Sequence, residues 1–153
     1  MKTTIVFTAR LRPAEACSQL DRSYSSGEVR LSVQGDKIIY AVTKDWDYSN
    51  PRWFEELISG VREFLRRWVD ALAIESDKSL GAEITDWVEL GDLTNDTMRT
   101  GGKFIVGKVQ HPGLLASPVS VAQLDAALNR DSLMVQNPYL RLAIADYHSA
   151  LNS

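Results

Sequence analysis

The chain has 153 residues, of which 44% are hydrophobic and 24% charged, and its formal net charge is −3. This length and composition fit a single domain over residues 1–153, large enough to bury a core without covalent staples. The small negative charge gives no electrostatic reason to expect a nucleic-acid or membrane partner.

Compartment is indicated by two features of the sequence. The only cysteine, Cys17, cannot form an intrachain disulfide, which suits a reducing compartment. No apolar run reaches the roughly 18 residues that a membrane-spanning helix needs. We therefore expect a cytoplasmic protein.

The first third of the chain predicts three strands. Thr3–Arg12 alternates apolar and polar residues, which is typical of a strand. Residues 13–21 are predicted to form a short helix, and the serine-rich residues 23–27 a polar loop. A two-residue turn at Gly35-Asp36 then predicts a hairpin. In that register three apolar pairs share one face: Val29–Val42, Leu31–Tyr40 and Val33–Ile38.

The long segment 50–75 predicts an amphipathic helix that begins near Asn50 and Pro51. Its apolar residues recur every three or four positions and form a broad stripe, which we expect to pack on the hairpin face of the sheet. The stripe runs through Trp53, Leu57, Val61, Phe64, Trp68 and Leu72. The opposite face is charged, and Asp70 is predicted to form an exposed pair with Arg66, four residues earlier.

The second half predicts two strands and two helices. Residues 82–90 and 103–110 are the strands; in the first, Ile84 and Val88 are predicted to lie on one face and Trp87 on the other. Ser120 and Gln123 have the spacing of a capping box, and Asn137-Pro138 starts the last helix. The apolar stripe of that helix is predicted to be Leu140, Ala143, Ile144, Tyr147 and Leu151.

These elements predict an α+β fold. We expect a mostly antiparallel sheet of about five strands, packed by one long amphipathic helix and followed by two shorter C-terminal helices.

The segment before the long helix has calcium-loop spacing. Counting from Asp45, oxygen-bearing side chains fall at positions one, three and five, and Glu56 falls at position twelve, as in an EF-hand loop. Position six is Asn50 where that loop needs glycine, Arg52 places a cation nearby, and a predicted strand precedes the loop. We therefore expect no metal site and no cofactor, and interpret the segment as an acidic strand-to-helix connection.

The same segment is rich in aromatic residues. Aromatic rings beside carboxylates bind sugars, cations or protein partners. The second strand of the hairpin should end near Thr43, because a longer strand would place a lysine on its core-facing side. The sequence therefore predicts an exposed loop that presents Trp46 or Tyr48 to solvent or to a partner. The candidate partner-binding residues are Asp45, Trp46, Asp47, Tyr48 and Arg52.

The last helix carries Arg141 and His148, which are two helical turns apart and therefore on one face. An arginine followed after four to six residues by a histidine resembles the pattern of HEPN-type ribonucleases, over some fifteen residues. That resemblance implies a helical bundle and an RNA-cleaving role for the pair.

Two function classes remain open at this stage. The first is a non-enzymatic binding or interaction domain, such as an N-terminal domain or subunit of a larger assembly, with a protein partner or self-association as its use. The alternative is an enzyme whose site is assembled from scattered residues, with the HEPN-like ribonuclease as its named case; the catalytic residues are otherwise unknown. A deep polar pocket would favour the enzyme, and an apolar patch the interaction domain.

Overall fold

The computed structural model describes residues 2–90 and 118–151, and residues 104–106 by their backbone. The strands are β1 Thr3–Arg12, β2 Asp21–Ser26, β3 Val29–Gln34, β4 Lys37–Lys44, β5 Gly81–Leu90 and β6 Phe104–Val106. The α-helices are α1 Trp53–Ser76, α2 Val121–Gln136 and α3 Pro138–Leu151, and a short 3₁₀ helix covers Ala14–Cys17. Apart from 104–106, the predicted strand at 103–110 lies outside the described residues.

The described strands form one antiparallel sheet in the order β2-β3-β4-β1-β5-β6. The predicted α+β fold, with one long helix and two C-terminal helices, is confirmed. The predicted loop at 23–27 is wrong, because residues 23–26 belong to β2. Serine favours turns, but a strand at the sheet edge keeps its polar side chains solvated, and five of the six β2 residues are exposed.

The β3–β4 hairpin has the predicted register, with Val29 opposite Val42, Leu31 opposite Tyr40 and Val33 opposite Ile38. Gly35, the first turn residue, has a φ of 59°, which is the positive value that a type II′ turn requires there. The agreement arises because turn length and side-chain alternation specify the same pairing.

A β-bulge in β5 changes the predicted faces of that strand. Phe7 lies opposite Trp87, and Ala9 lies opposite Ile84. One residue separates Phe7 from Ala9 in β1, whereas two residues separate Ile84 from Trp87 in β5. The shift brings Ile84 and Trp87 to the same, inward face. The ring of Trp87 lies 4.4 Å from that of Phe54 in α1. The prediction that Trp87 faces away from Ile84 is therefore wrong.

Helix α1 buries its predicted stripe against the sheet. Phe54 stacks near Phe7 at 6.5 Å between ring centroids, and Phe64 meets Tyr40 at 5.1 Å. Trp68 at the centre of the stripe is fully buried. The stripe is confirmed, but the helix begins at Trp53, after a turn in which Asn50 Oδ1 accepts the Arg52 N–H.

Helices α2 and α3 pack against α1. The predicted capping box starts α2: Ser120 Oγ accepts the Gln123 N–H, and the Gln123 side chain accepts the Ser120 N–H. The predicted stripe of α3 is partly wrong, because Ala143 and Tyr147 are exposed whereas His148 is buried. The reason is a polar contact between His148 and Asp70. The packing of α3 on α1 buries Asp70, and His148 faces it.

Candidate functional site

A small pocket lies where β4 ends and the chain turns towards α1. We call it the loop pocket; its volume is about 270 Å³. Its lining combines aromatic, acidic and basic side chains: Lys44, Asp45, Trp46, Asp47, Asn50, Trp53, Glu56 and Leu57. Three of the predicted partner-binding residues, Asp45, Trp46 and Asp47, thus line one pocket.

The aromatic residues of this loop divide into a buried part and an exposed part. Trp46 is only 8% exposed, and its indole Nε1 donates to the Thr3 carbonyl oxygen at 2.8 Å. Tyr48 is 50% exposed, and its ring meets the ring of Trp53 edge-on at 4.9 Å. The predicted exposure is therefore correct for Tyr48 and wrong for Trp46. Trp46 can be buried because Thr3, the first residue of β1, supplies an acceptor for its indole N–H.

The electrostatics of the loop pocket are acidic. One lysine and three carboxylates line it, so the formal charge of its lining is +1 − 3 = −2. The Lys44 ammonium lies 4.7 Å from the centroid of the Trp46 ring, which is within cation–π distance. Arg52 does not line the pocket, since its guanidinium lies 3.3 Å from Glu55 on an exposed part of α1. The pocket surface is therefore suited to a positively charged group.

The calcium-loop spacing corresponds to a turn. Asp47 Oδ1 accepts hydrogen bonds from the backbone N–H and the hydroxyl of Ser49. Asn50 donates its side-chain amide to Glu56 at 3.3 Å. Among the described residues, no group of three His, Cys, Asp or Glu side chains is arranged to hold a metal ion. The side-chain oxygens of Asp47 and Asn50 accept hydrogen bonds within the turn that precedes α1.

A larger groove, which the sequence did not indicate, lies between β2 and α2. We call it the strand-edge groove; its volume is about 510 Å³. Tyr24 of β2 donates its hydroxyl to Asp125 of α2 at 2.5 Å, and the Arg22 guanidinium lies 3.3 Å from the same carboxylate. Burial and the hydrogen bond to Asp125 raise the pKa of Tyr24, so its phenol stays protonated. These contacts tie β2 to α2 at one side of the groove.

A second ion pair involves Asp131, which lines the strand-edge groove. Asp131 of α2 lies 2.9 Å from the Arg67 guanidinium of α1. Burial raises the pKa of Asp131, although Arg67 opposes that shift. The lining also includes four apolar and four polar side chains: Val29, Leu31, Phe64 and Leu128, and Ser25, Ser26, Asn129 and Ser132.

Arg141 and His148 do lie on one face of α3, as their spacing predicts, and both contact Asp70. Arg141 donates to Asp70 Oδ2 at 2.7 Å, and His148 Nδ1 lies 2.5 Å from Asp70 Oδ1. The Leu80 N–H donates to His148 Nε2 at 3.2 Å, so the ring proton must be on Nδ1. The predicted exposed pairing of Asp70 with Arg66 is wrong, because α3 covers Asp70.

This network lies in the buried interior of the fold. His148 is 5% exposed, and both of its ring nitrogens are engaged within the protein. The described residues also form a six-stranded sheet, whereas the HEPN resemblance implies a helical bundle. The geometry gives Arg141 and His148 a role in joining α3 to α1 and to the segment before β5.

Comparison with known proteins identifies no relative: no family model matches the chain, and no match to it is found among the curated proteins or the solved structures. Within the described residues, no helix is both long enough and apolar enough to cross a membrane.

Proposed function

We propose that this chain is a non-enzymatic binding domain, used within a larger protein or assembly, that recognises a protein partner through the loop pocket. The observation that carries the proposal is the pairing of aromatic walls with a lining charge of −2 in one concave surface. Arginine and lysine side chains of a partner have the matching chemistry, because a cation is attracted both by the face of a tryptophan ring and by carboxylates.

The position of Lys44 supports a basic ligand. Its ammonium already lies over the Trp46 ring, so this aromatic surface accommodates a cation in the free protein. The Trp46 and Trp53 rings lie 5.7 Å apart and are held by contacts with the protein, which reduces the ordering cost of binding. Tyr48, half-exposed beside Trp53, extends the aromatic surface outward.

A titration with short peptides tests the charge requirement. The probes are Ac-Gly-Arg-Gly-amide and its citrulline analogue, which has nearly the same shape without the charge. We expect the arginine peptide to shift the indole N–H signals of Trp46 and Trp53 in NMR spectra, with affinity of roughly millimolar order for one side chain. We expect the citrulline peptide to bind several-fold more weakly. Equal binding of the two peptides would contradict the proposal.

A pair of neighbouring glutamates provides matched variants. Glu56 lines the loop pocket, whereas Glu55 is paired with Arg52 outside it. Glu56→Gln should weaken binding of the arginine peptide by roughly two- to fivefold, the range for a solvent-accessible charge pair. Glu55→Gln should leave binding unchanged. An equal loss in both variants would show that the general surface charge, and not the pocket, attracts the peptide.

A further inference from the structure

Strand β2 has main-chain groups that point away from the sheet. The Gly35 N–H donates to the Leu20 carbonyl at 2.7 Å, and Ser26 pairs with Val29 across the β2–β3 turn. In an antiparallel ladder the direction of these groups alternates along the strand, so the even-numbered β2 residues bond to β3. The N–H and C=O groups of Asp21, Ser23 and Ser25 therefore point outward from the edge.

Within the part of the chain that the structure describes, this edge has few of the features that prevent pairing. Natural edge strands are protected by proline, by charged side chains, by a bulge or by a covering element, and of these β2 has the charged residues Asp21 and Arg22 at its first two positions. β2 has the sequence DRSYSS, pairs with β3 without a register shift, and is exposed at five of its six residues. Tyr24 is the exception, and its hydrogen bond to Asp125 keeps the strand in place beside α2.

Hollows lie on both faces of β2. The strand-edge groove, on the helix side, is lined by Tyr24 and the apolar side chains of Leu31, Phe64 and Leu128. On the other face a hollow of about 390 Å³ is lined by Ser23, Ser25, Arg30, Ser32, Ile39 and Ala41 among its residues. A strand added along β2 sends successive side chains to opposite faces, one set towards the strand-edge groove and the other towards the hollow beside Ser23 and Ser25.

We propose that β2 and the strand-edge groove bind an extended segment of a protein partner by strand addition. The segment alternates apolar residues, which enter the groove beside Leu128, with polar residues on the opposite face. A second copy of this chain fits less well, because the inward side chains of its own β2, Arg22 and Tyr24, are already held by Asp125. This site is separate from the loop pocket, so its test is independent of the function proposed above.

The first test uses the synthetic heptapeptide Ac-Lys-Val-Thr-Val-Thr-Val-Lys-amide. Residues opposite Ser23 and Ser25 share their face, so the threonines provide the N–H groups that meet β2, while the valines enter the groove. We expect the amides of Asp21, Ser23 and Ser25 to gain hydrogen-exchange protection when the peptide is added. The same peptide with N-methylated threonines lacks these N–H groups and should bind at least tenfold more weakly. The reordered peptide Ac-Lys-Val-Val-Thr-Thr-Val-Lys-amide has the same composition without the alternation, and it should also bind at least tenfold more weakly.

The second test changes the protein. Ser23→Pro removes an outward N–H at a position where an edge strand tolerates proline, and Ser23→Ala keeps that N–H. We expect at least tenfold weaker peptide binding for the proline variant and unchanged binding for the alanine variant. Should Ser23→Pro fail to fold in thermal melts, the N-methylated peptide decides the question.

Three results would overturn the proposal. The first is equal binding of the alternating, N-methylated and reordered peptides, and the second is no binding of the alternating peptide. The third is hydrogen-exchange protection of the β2 amides in the absence of peptide, if that protection increases with protein concentration and ultracentrifugation shows that a dimer forms over the same range. That last result would assign the edge to a second copy of the chain.

Discussion

Replacing Asp70 with alanine distinguishes a surface ion pair from a buried network. Asp70 is 8% exposed and accepts from both Arg141 and His148. An exposed pair four residues apart on a helix contributes only about 0.3–0.5 kcal/mol. Removing one partner from a buried charged network costs about 3–5 kcal/mol, because the remaining partners lose their hydrogen bonds.

The structure places the expected cost at the low end of that range. Arg141 keeps a second carboxylate, Glu63, at 3.8 Å, and its side chain is 18% exposed, so part of its charge stays solvated. His148 loses its Asp70 partner at a buried position. We expect Asp70→Ala to lower the free energy of unfolding by about 3 kcal/mol.

Urea denaturation measures this change. With a slope of about 2 kcal/mol per molar urea, the midpoint should fall by about 1.5 M while the slope stays constant. Arg66→Ala is the matched control, since Arg66 is the exposed residue that sequence spacing pairs with Asp70; it should cost under about 0.5 kcal/mol. A double-mutant cycle of Asp70→Ala with Arg141→Ala should give a coupling energy of about 1–3 kcal/mol.

Two results would contradict this prediction: a loss below about 1 kcal/mol for Asp70→Ala, or an equal loss for Arg66→Ala. The first result would mean that the contacts of Asp70 with α3 contribute no more than a solvated ion pair, and the second that the loss is not specific to the buried network.

Two further predictions concern the core. Trp68→Ala should lower the free energy of unfolding by about 3–5 kcal/mol in urea denaturation, because Trp68 is fully buried. Tyr139→Ala is the control at an 84% exposed position and should cost under about 0.5 kcal/mol. Similar losses in the two variants would show that the α1 stripe is not part of the core. Burial raises the pKa of Cys17 to about 12, so thiol reagents near pH 8 should modify only the unfolded chain. Stability should fall as the pH rises from 9.0 towards about 12, since the unfolded chain releases this proton first, and Cys17→Ala should show a smaller fall.

Local patterns in the sequence determined most of the secondary structure. The β3–β4 register follows from the Gly35-Asp36 turn and from alternation, which involve residues close in the chain. The α1 stripe follows from helical periodicity, and the α2 start from the capping box at Ser120. These features depend on neighbouring residues, so they can be predicted without knowledge of the fold.

Contacts between distant segments decided the rest. Asp70 is buried beside its partner Arg141, which lies 71 positions away on α3. Trp46 is buried with its indole N–H donated to the Thr3 carbonyl. Tyr24 of β2, in a segment with the composition of a loop, is held by Asp125, 101 positions later. A polar side chain takes its environment from its partner, and local sequence does not specify which distant group that partner is. The loop pocket was therefore partly predictable from its aromatic and acidic residues, whereas the strand-edge groove exists only in the tertiary structure.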